Sequence, residues 1–313
     1  MGRAQLLEQE FESNICSELS EHGWLYKAQG NTESAGWNVE LALIPNDVLH
    51  WLSTQYPEEY EKAIPADLAD GPRTTAERSL LNNLISQLNK QTRLDTTTGA
   101  PVGGLLGVLR TGFSYAQVGR PTAKFGPMMA FPPANPELTE VTEASDAVRL
   151  RVIRQVRFDT TTNESIDVVL CANGIPVVTM ELKTDNTQSV NHAIRQYKKD
   201  RKPNAKRPLL TPGRVLVHFA VSNDSVFMTT KLDGENTVFL PFNQGNNGHA
   251  GNPPSSTGSP TNYLWRDILN RPMFMRILKD YALYEPSRGS RKQDGRLVFP
   301  RFHQLRAVER VIE

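Results

Sequence analysis

Two cysteines in 313 residues, no apolar run long enough to cross a bilayer, and a net charge of only +1 each remove a class of protein. So few cysteines exclude a disulfide scaffold. Cys16 and Cys171 fall in a predicted helix and a predicted strand and read as buried, reduced thiols. No stretch reaches the roughly 18 apolar residues of a transmembrane helix. The first residues, MGRAQLLEQEFE, lack the apolar core of a signal peptide, so a cytoplasmic protein with no membrane partner is expected. The balanced charge means that no global basic field announces nucleic acid. A phosphate-binding G-x-x-x-x-G-K-[ST] loop is also missing. Gly245, Gly248 and Gly251 are followed by neither Lys-Ser/Thr nor a helix. Apolar residues make up 38% and charged residues 22%, ordinary for a globular protein with one large core or two modest ones.

The richest stretch is 166–183, IDVVLCANGIPVVTMELK. Two β-rich runs flank Asn173-Gly174, a hairpin signal. Strand alternation puts Glu181 and Lys183 on one face with Val177 and Thr179, and Val178, Met180 and Leu182 on the other. Asp167 lies near the start of the first run. A two-residue turn would set Asp167 opposite Met180. A three-residue loop, Asn173 to Ile175, sets it opposite Glu181, so a charged cluster requires the longer loop. Charges on such an apolar sheet are costly without a partner or a metal. Mg²⁺, which takes one or two carboxylates plus water and phosphate oxygens, would compensate them. The plainer alternative is a solvated strand end with a surface salt bridge. Asp200-Arg201-Lys202 shows the same D/E-x-K spacing but sits in a basic stretch before Pro203 with no strand around it.

Elsewhere, Leu7, Phe11, Ile15 and Leu19 predict an amphipathic helix over 4–21, with Glu8 and Glu12 beside the stripe. Helices are predicted at 46–55, 57–63, 75–91, 188–200 and, as two short pieces, 262–281. Strands are predicted at 149–158, 214–222, 225–230 and 236–240. Residues 92–104 and 243–262 read as loop, the proline-rich run 122–146 as a surface excursion, 285–296 as a polar linker and 302–312 as the start of a further helix. Between Arg195 and Arg207 there are seven Lys/Arg against one acid, Asp200. Arg195, Lys198, Lys199, Arg201 and Lys202 are candidates for phosphate contact; a solvated helix end is the alternative.

The phrase Asp167-Val-Val-Leu-Cys-Ala-Asn-Gly-Ile-Pro-Val-Val-Thr-Met-Glu-Leu-Lys183 resembles the PD-(D/E)XK nuclease core. It looks most like the N-terminal region of the R (restriction and motor) subunit of type I restriction-modification enzymes. Glu8, Phe11, Glu12, Ile15, Leu19 and Gly23-Trp24 resemble that family's opening helix. Ala193-Ile-Arg-Gln-Tyr197 resembles the helix after its hairpin, and Leu216–Ser222, Leu240–Gly245, Gly251–Pro254 and Tyr263–Trp265 resemble one branch of it. Pro300–Gln304 looks like the approach to its motor domain. One departure stands out: where many members have Gln four residues before the Tyr, this chain has Ala193, with Gln188, His192 and Gln196 nearby.

The resemblance implies an α/β fold: a mixed central sheet flanked by helices, with an endonuclease domain over 1–284 and a linker and lead-in helix to a motor over 285–313. It implies metal-dependent hydrolysis of duplex DNA with Asp167, Glu181 and Lys183 catalytic. The metal ligands would be Asp167, Glu181 and the Leu182 carbonyl, holding Mg²⁺, joined by one of the carboxylates of the opening helix, Glu12 or Glu8, unless both lie on a solvated helix face; ATP would belong to the full-length protein. Tyr197, Gln188 and Gln155 are supporting residues. Methyltransferase and specificity subunits are the implied partners. Two other readings stay open. One is a DNA-binding or assembly module with an inactive nuclease site; the other is a PD-(D/E)XK nuclease of recombination or repair.

Overall fold

A computed structural model describes residues 3–27, 35–184, 189–286 and 295–312. The periodic apolar residues account for the first elements. In α1 (Arg3–Glu21), Phe11, Ile15 and Leu19 recur at helical spacing, and Ile15 and Leu19 are fully buried. Prolines open α2 (Pro45–Gln55) and α3 (Pro57–Ala63), where a missing N–H leaves no helical bond unmade. α4 (Asp70–Leu88) turns Leu80, Leu81, Leu84 and Leu88 inward.

The next stretch departs from the sequence expectation. Residues predicted as loop and surface excursion contain a short pair, β1 (Arg93–Leu94) with β2 (Pro101–Val102). α5 (Gly104–Thr111) and β3 (Phe113–Tyr115) lie almost wholly in 105–121, for which the sequence predicts no element. β3 pairs with β4 (Ala123–Phe125), which falls in the expected surface excursion together with α6 (Thr139–Asp146). Glycines weaken helical propensity in α5, but Leu105, Leu106, Val108 and Leu109 are all buried. Tertiary packing, not local preference, holds this helix.

The central sheet comprises β5 (Leu150–Arg157), β6 (Ser165–Ala172), β7 (Ile175–Leu182), β8 (Val217–Val221), β9 (Val226–Thr229) and β10 (Leu240–Pro241). Their spatial order is β10-β9-β8-β7-β6-β5, antiparallel throughout except for the parallel pair β7–β8. A parallel pair needs a crossover. α7 (Val190–Lys199) supplies it and packs on both strands. Val168, Leu170, Val178, Met180 and Leu182 enter the larger core, while Val169, Cys171 and Tyr197 belong to a second one. Burial pushes the Cys16 and Cys171 thiols up, and both are free. The fold is thus mixed α/β, as expected.

The C-terminal part continues the same body. Two π-helical turns, Leu264–Ile268 and Ile277–Tyr281, flank α8 (Arg271–Arg276). β11 (Leu283–Pro286) pairs with β12 (Gly295–Val298), and α9 (Phe302–Ile312) follows. Phe299, Phe302 and Leu305 lie in the larger core with Met180 and Leu182. The segment read as linker and lead-in therefore contributes strand and core residues.

The turn between β6 and β7 fixes everything at the site. Asn173 and Gly174 have φ of 45° and 82°, and Ala172 pairs with Ile175, so the connection is a two-residue turn. The expected three-residue loop is absent. The register nevertheless shifts by one between Leu170 and Cys171, because Val177 is an extra residue in β7 beside Pro176. Proline cannot donate to the ladder, and a bulge accommodates it inside a central strand. Beyond the bulge Val168 pairs with Met180, and continuing that register sets Asp167 across from Glu181. Val177, expected on the face of Glu181, packs instead in the larger core beside Val178. The tip itself is clamped. Asn173 Oδ1 accepts from Arg149 N at 2.8 Å, its Nδ2 donates to the Met128 carbonyl at 2.9 Å, and a Cβ on Gly174 would come within 2.5 Å of the Ile44 carbonyl.

Candidate active site

The outer ends of β6 and β7, the middle of α1 and the end of α7 surround a polar cleft of about 480 Å³. Its lining includes Glu8, Glu12, Gln155, Asp167, Leu182, Lys183, Gln196 and Arg201. Asp167 is half-buried. Its Oδ2 accepts from the Leu182 backbone N–H at 2.7 Å and its Oδ1 from Gln155 Nε2 at 3.3 Å. The hairpin thus orients its own carboxylate: the strand carrying Glu181 and Lys183 donates the fixing hydrogen bond.

Glu181 is fully buried. Burial, then the charge of Asp167, pushes its pKa up to about 8, and Arg201 works against both. Arg201 Nε donates to Glu181 Oε1 at 2.7 Å. The Gln196 amide, oriented to satisfy both ends, donates to Glu181 Oε2 at 3.2 Å and accepts from Arg201 at 2.8 Å. Lys183 is almost enclosed; its Nζ donates to the Leu182 carbonyl at 2.9 Å and lies 3.5 Å from Glu8 Oε1.

α1 reaches the cleft through Glu12, which is buried with Oε1 on Arg154 and Oε2 accepting from Gln155 Nε2 at 2.7 Å. Burial raises the Glu12 pKa, and those same partners pull it back. Gln155 joins Glu12 to Asp167 and adopts φ 47°, an unusual backbone for a non-glycine residue. Such strain persists where surrounding contacts hold it, here Glu12, Asp167 and the Ser165 hydroxyl, which donates to Gln155 Oε1 at 2.7 Å.

The sequence candidates divide. Asp167, Leu182, Lys183, Glu12 and Gln155 line the cleft, and Glu181 lies behind it against Arg201. Glu12 is committed to Arg154 and Gln155, and no group of three His, Cys, Asp or Glu among the described residues is arranged to hold a metal. Asp167, Glu181 and the Leu182 carbonyl are a hard oxygen set of the kind Mg²⁺ takes with water, and each of them also has a partner: Gln155 and the Leu182 N–H on Asp167, Arg201 and Gln196 on Glu181, and Lys183 on the carbonyl. Tyr197 lies away from the cleft: fully buried, its hydroxyl is 2.8 Å from Thr179 Oγ1, which is 2.7 Å from His218 Nδ1. Gln188 lies outside the described residues. Of the polar residues near Ala193, Gln196 is the one on Glu181.

Arg201 stands apart from the other candidates for phosphate contact: it lines the cleft, is 5% exposed, donates to Glu181 and to the Ser165 carbonyl, and lies 4.8 Å over the Phe158 ring. Its donors face inward, leaving Arg195, Lys199 and Lys202 exposed and Lys198 half-buried. The signal was present: Val190, Ala193, Tyr197 and Arg201 follow one helical stripe, and all four are buried. Glu8, Arg154 and Gln196 also belong to the site. No short motif marks Arg154, because its link to Glu12 crosses 142 residues.

Residues 139–237, about a third of the chain, match the family model for the type I restriction enzyme R protein N terminus. None of the curated proteins matches the chain.

Proposed function

Since residues 139–237 carry the N-terminal region of a type I restriction enzyme R protein, we propose that this chain is the DNA-cleaving part of such a subunit. The reaction is hydrolysis of duplex DNA with Mg²⁺ at the Asp167–Glu181 pair. One observation carries the reading: Asp167, held by the Leu182 N–H, and Lys183 line one polar cleft, with Glu181 directly behind it on the strand beside Asp167.

The donor set fits a divalent cation on a specific ground. Glu181 is fully buried beside a second carboxylate; burial and then the charge of Asp167 raise its pKa against Arg201 and Lys183, and a divalent cation between the two carboxylates would offset both causes. Asp167 and Glu181 would hold the ion, with the Leu182 carbonyl as a third oxygen. Bound there, Mg²⁺ supplies Lewis-acid polarisation of the scissile phosphate and lowers the pKa of a water.

The remaining roles belong to the chain. The Leu182 N–H keeps Asp167 from rotating away. Arg201 and Gln196 hold the Glu181 carboxylate from the α7 side. Lys183 places a fixed cation at the cleft, where it orients the attacking water and offsets charge on the phosphate as that charge grows. Glu8 and the Leu182 carbonyl restrain its ammonium meanwhile. Arg195, Lys198, Lys199 and Lys202 contact the flanking backbone without reading bases. Recognition and methylation fall to separate specificity and methyltransferase subunits, and ATP-driven translocation to a motor outside this chain.

Duplex nicking by the full R subunit with its partner subunits tests the reading, alongside calorimetric Mg²⁺ titration of this chain. Glu181→Gln should lose both cleavage and the binding heat. Cleavage at the parental rate would overturn the assignment.

A further inference from the structure

A second cleft, of about 760 Å³, lies between the end of α4, β1, the end of α5 and the β3–β4 hairpin, and shares no lining residue with the candidate active site. We propose that it binds the phosphate backbone of the DNA away from the scissile bond, an inference that rests on the DNA-cleaving reading above.

Three elements bring one cation each: Lys90 from just past α4, Arg93 from β1 and Lys124 from β4. Lys124 pairs across its hairpin with Ser114, so an ammonium and a hydroxyl stand together on the exposed face while Phe113 and Phe125 point into the core. No Asp or Glu lines the cleft. Glu59 accepts from the Lys124 backbone N–H, and its own ion pair is with Lys62. Lys90 donates to Gln87 Oε1 at 2.8 Å. Among the described residues none of the three cations is in a salt bridge with a carboxylate.

Other arginines of the fold are engaged in two ways: Arg110, Arg214 and Arg271 donate to backbone carbonyls, and several more meet carboxylates. Arg149 and Arg151 are paired with Asp47, Arg154 with Glu12, Arg201 with Glu181 and Arg207 with Asp159. At this cleft three cations with no acid among the lining residues form a concentration of positive charge. With a net charge of only +1, the concentration is local rather than a share of a general excess. Lys and Arg against a line of phosphates gain by releasing condensed counterions, and an open cleft with exposed cations suits a continuous backbone.

The test uses the whole 313-residue chain. Binding of a labelled 30-base-pair duplex is measured across a salt titration for the parent and for the triple variant Lys90→Ala, Arg93→Ala, Lys124→Ala. Thermal melting confirms that the variant folds. The expected result is at least a tenfold loss of affinity, with the salt slope falling by up to about 0.9 for each phosphate contact removed. If the parent binds no duplex, the DNA-cleaving reading falls first and takes this inference with it. If the parent binds and the triple variant matches it in affinity and slope, this inference falls and the reading stands. Binding of free ATP that duplex does not displace would make the cleft a nucleotide site and overturn the inference as well.

Discussion

Arg201 and Glu181 form an ion pair at 2.7 Å that is closed to solvent on both sides, with side chains 6% and 0% exposed. An enclosed pair holds little net stability as a unit, but breaking it strands a charge. Arg201→Met should therefore destabilise the chain by about 3–5 kcal/mol in urea unfolding at pH 9, where Glu181 is ionised, and by less at pH 6, where Glu181 carries its proton. Adding Glu181→Gln to that variant should recover much of the loss. Equal stability of Arg201→Met and the parent would mean that the pair does not form.

Cleavage should depend on three side chains. Asp167→Asn, Glu181→Gln and Lys183→Ala, each in the full R subunit, should slow duplex cleavage by at least about a hundredfold, the scale of removing one preorganised charge. ATP hydrolysis by the same preparations should continue at the parental rate, since the three residues sit on and just after the β6–β7 hairpin, which carries no phosphate-binding loop. A variant that cuts normally removes its residue from the mechanism.

Stability should carry a pH signature from Glu181. Its pKa is raised in the folded chain, so the folded state holds a proton that the unfolded state has released. Between the ordinary carboxylate range and about 8, stability therefore falls as pH rises, and below that window the contribution is fully present. Glu181→Gln lacks this group, so its melting temperature should gain on the parent steadily from pH 5 to 8. A constant difference across that range would show that Glu181 is already ionised at the lower end.

Duplex affinity should respond to the exposed face of α7 and not to its buried stripe. Replacing Arg195, Lys198, Lys199 and Lys202 with Ala should lower the salt slope by up to about 0.9 per lost contact, by similar amounts for unrelated sequences. Unchanged binding would return these residues to plain solvation of a helix end.

Tyr197 offers a contrast. Tyr197→Phe removes one partner of the buried Thr179 hydroxyl and should cost about 1–3 kcal/mol of stability. The cleavage rate per folded molecule should not change, because the phenol faces Thr179 and not the cleft. A lowered rate with unchanged stability would restore Tyr197 to the reaction.

Much of this was legible in sequence because it is local. The Asn173-Gly174 signal, the alternation that sets Glu181 with Lys183, and the stripes of α1 and α7 each depend on neighbours a few residues apart. What escaped is non-local. The bulge at Val177 is felt only when β6 and β7 pair, so the correct facing of Asp167 and Glu181 was reached through a loop that does not exist. α5 carries glycines that argue against a helix and exists because the core accepts its leucines. Arg201 was lost among exposed lysines, although its place on the Val190–Ala193–Tyr197 stripe marked it as an inward residue.

The tight turn and the bulge together give the hairpin an arithmetic of its own. The turn is one residue short of what the site needs, and Val177 makes up the difference. Straightening the bulge with every residue kept would slide the remainder of β7 by one position and present Met180 and Leu182 to the cleft side in place of Glu181 and Lys183. Deleting Val177 outright would not, since Leu170 would still meet Val178 and Val168 would still meet Met180. The proline-linked bulge can therefore be lost without disturbing the site only together with the residue that forms it.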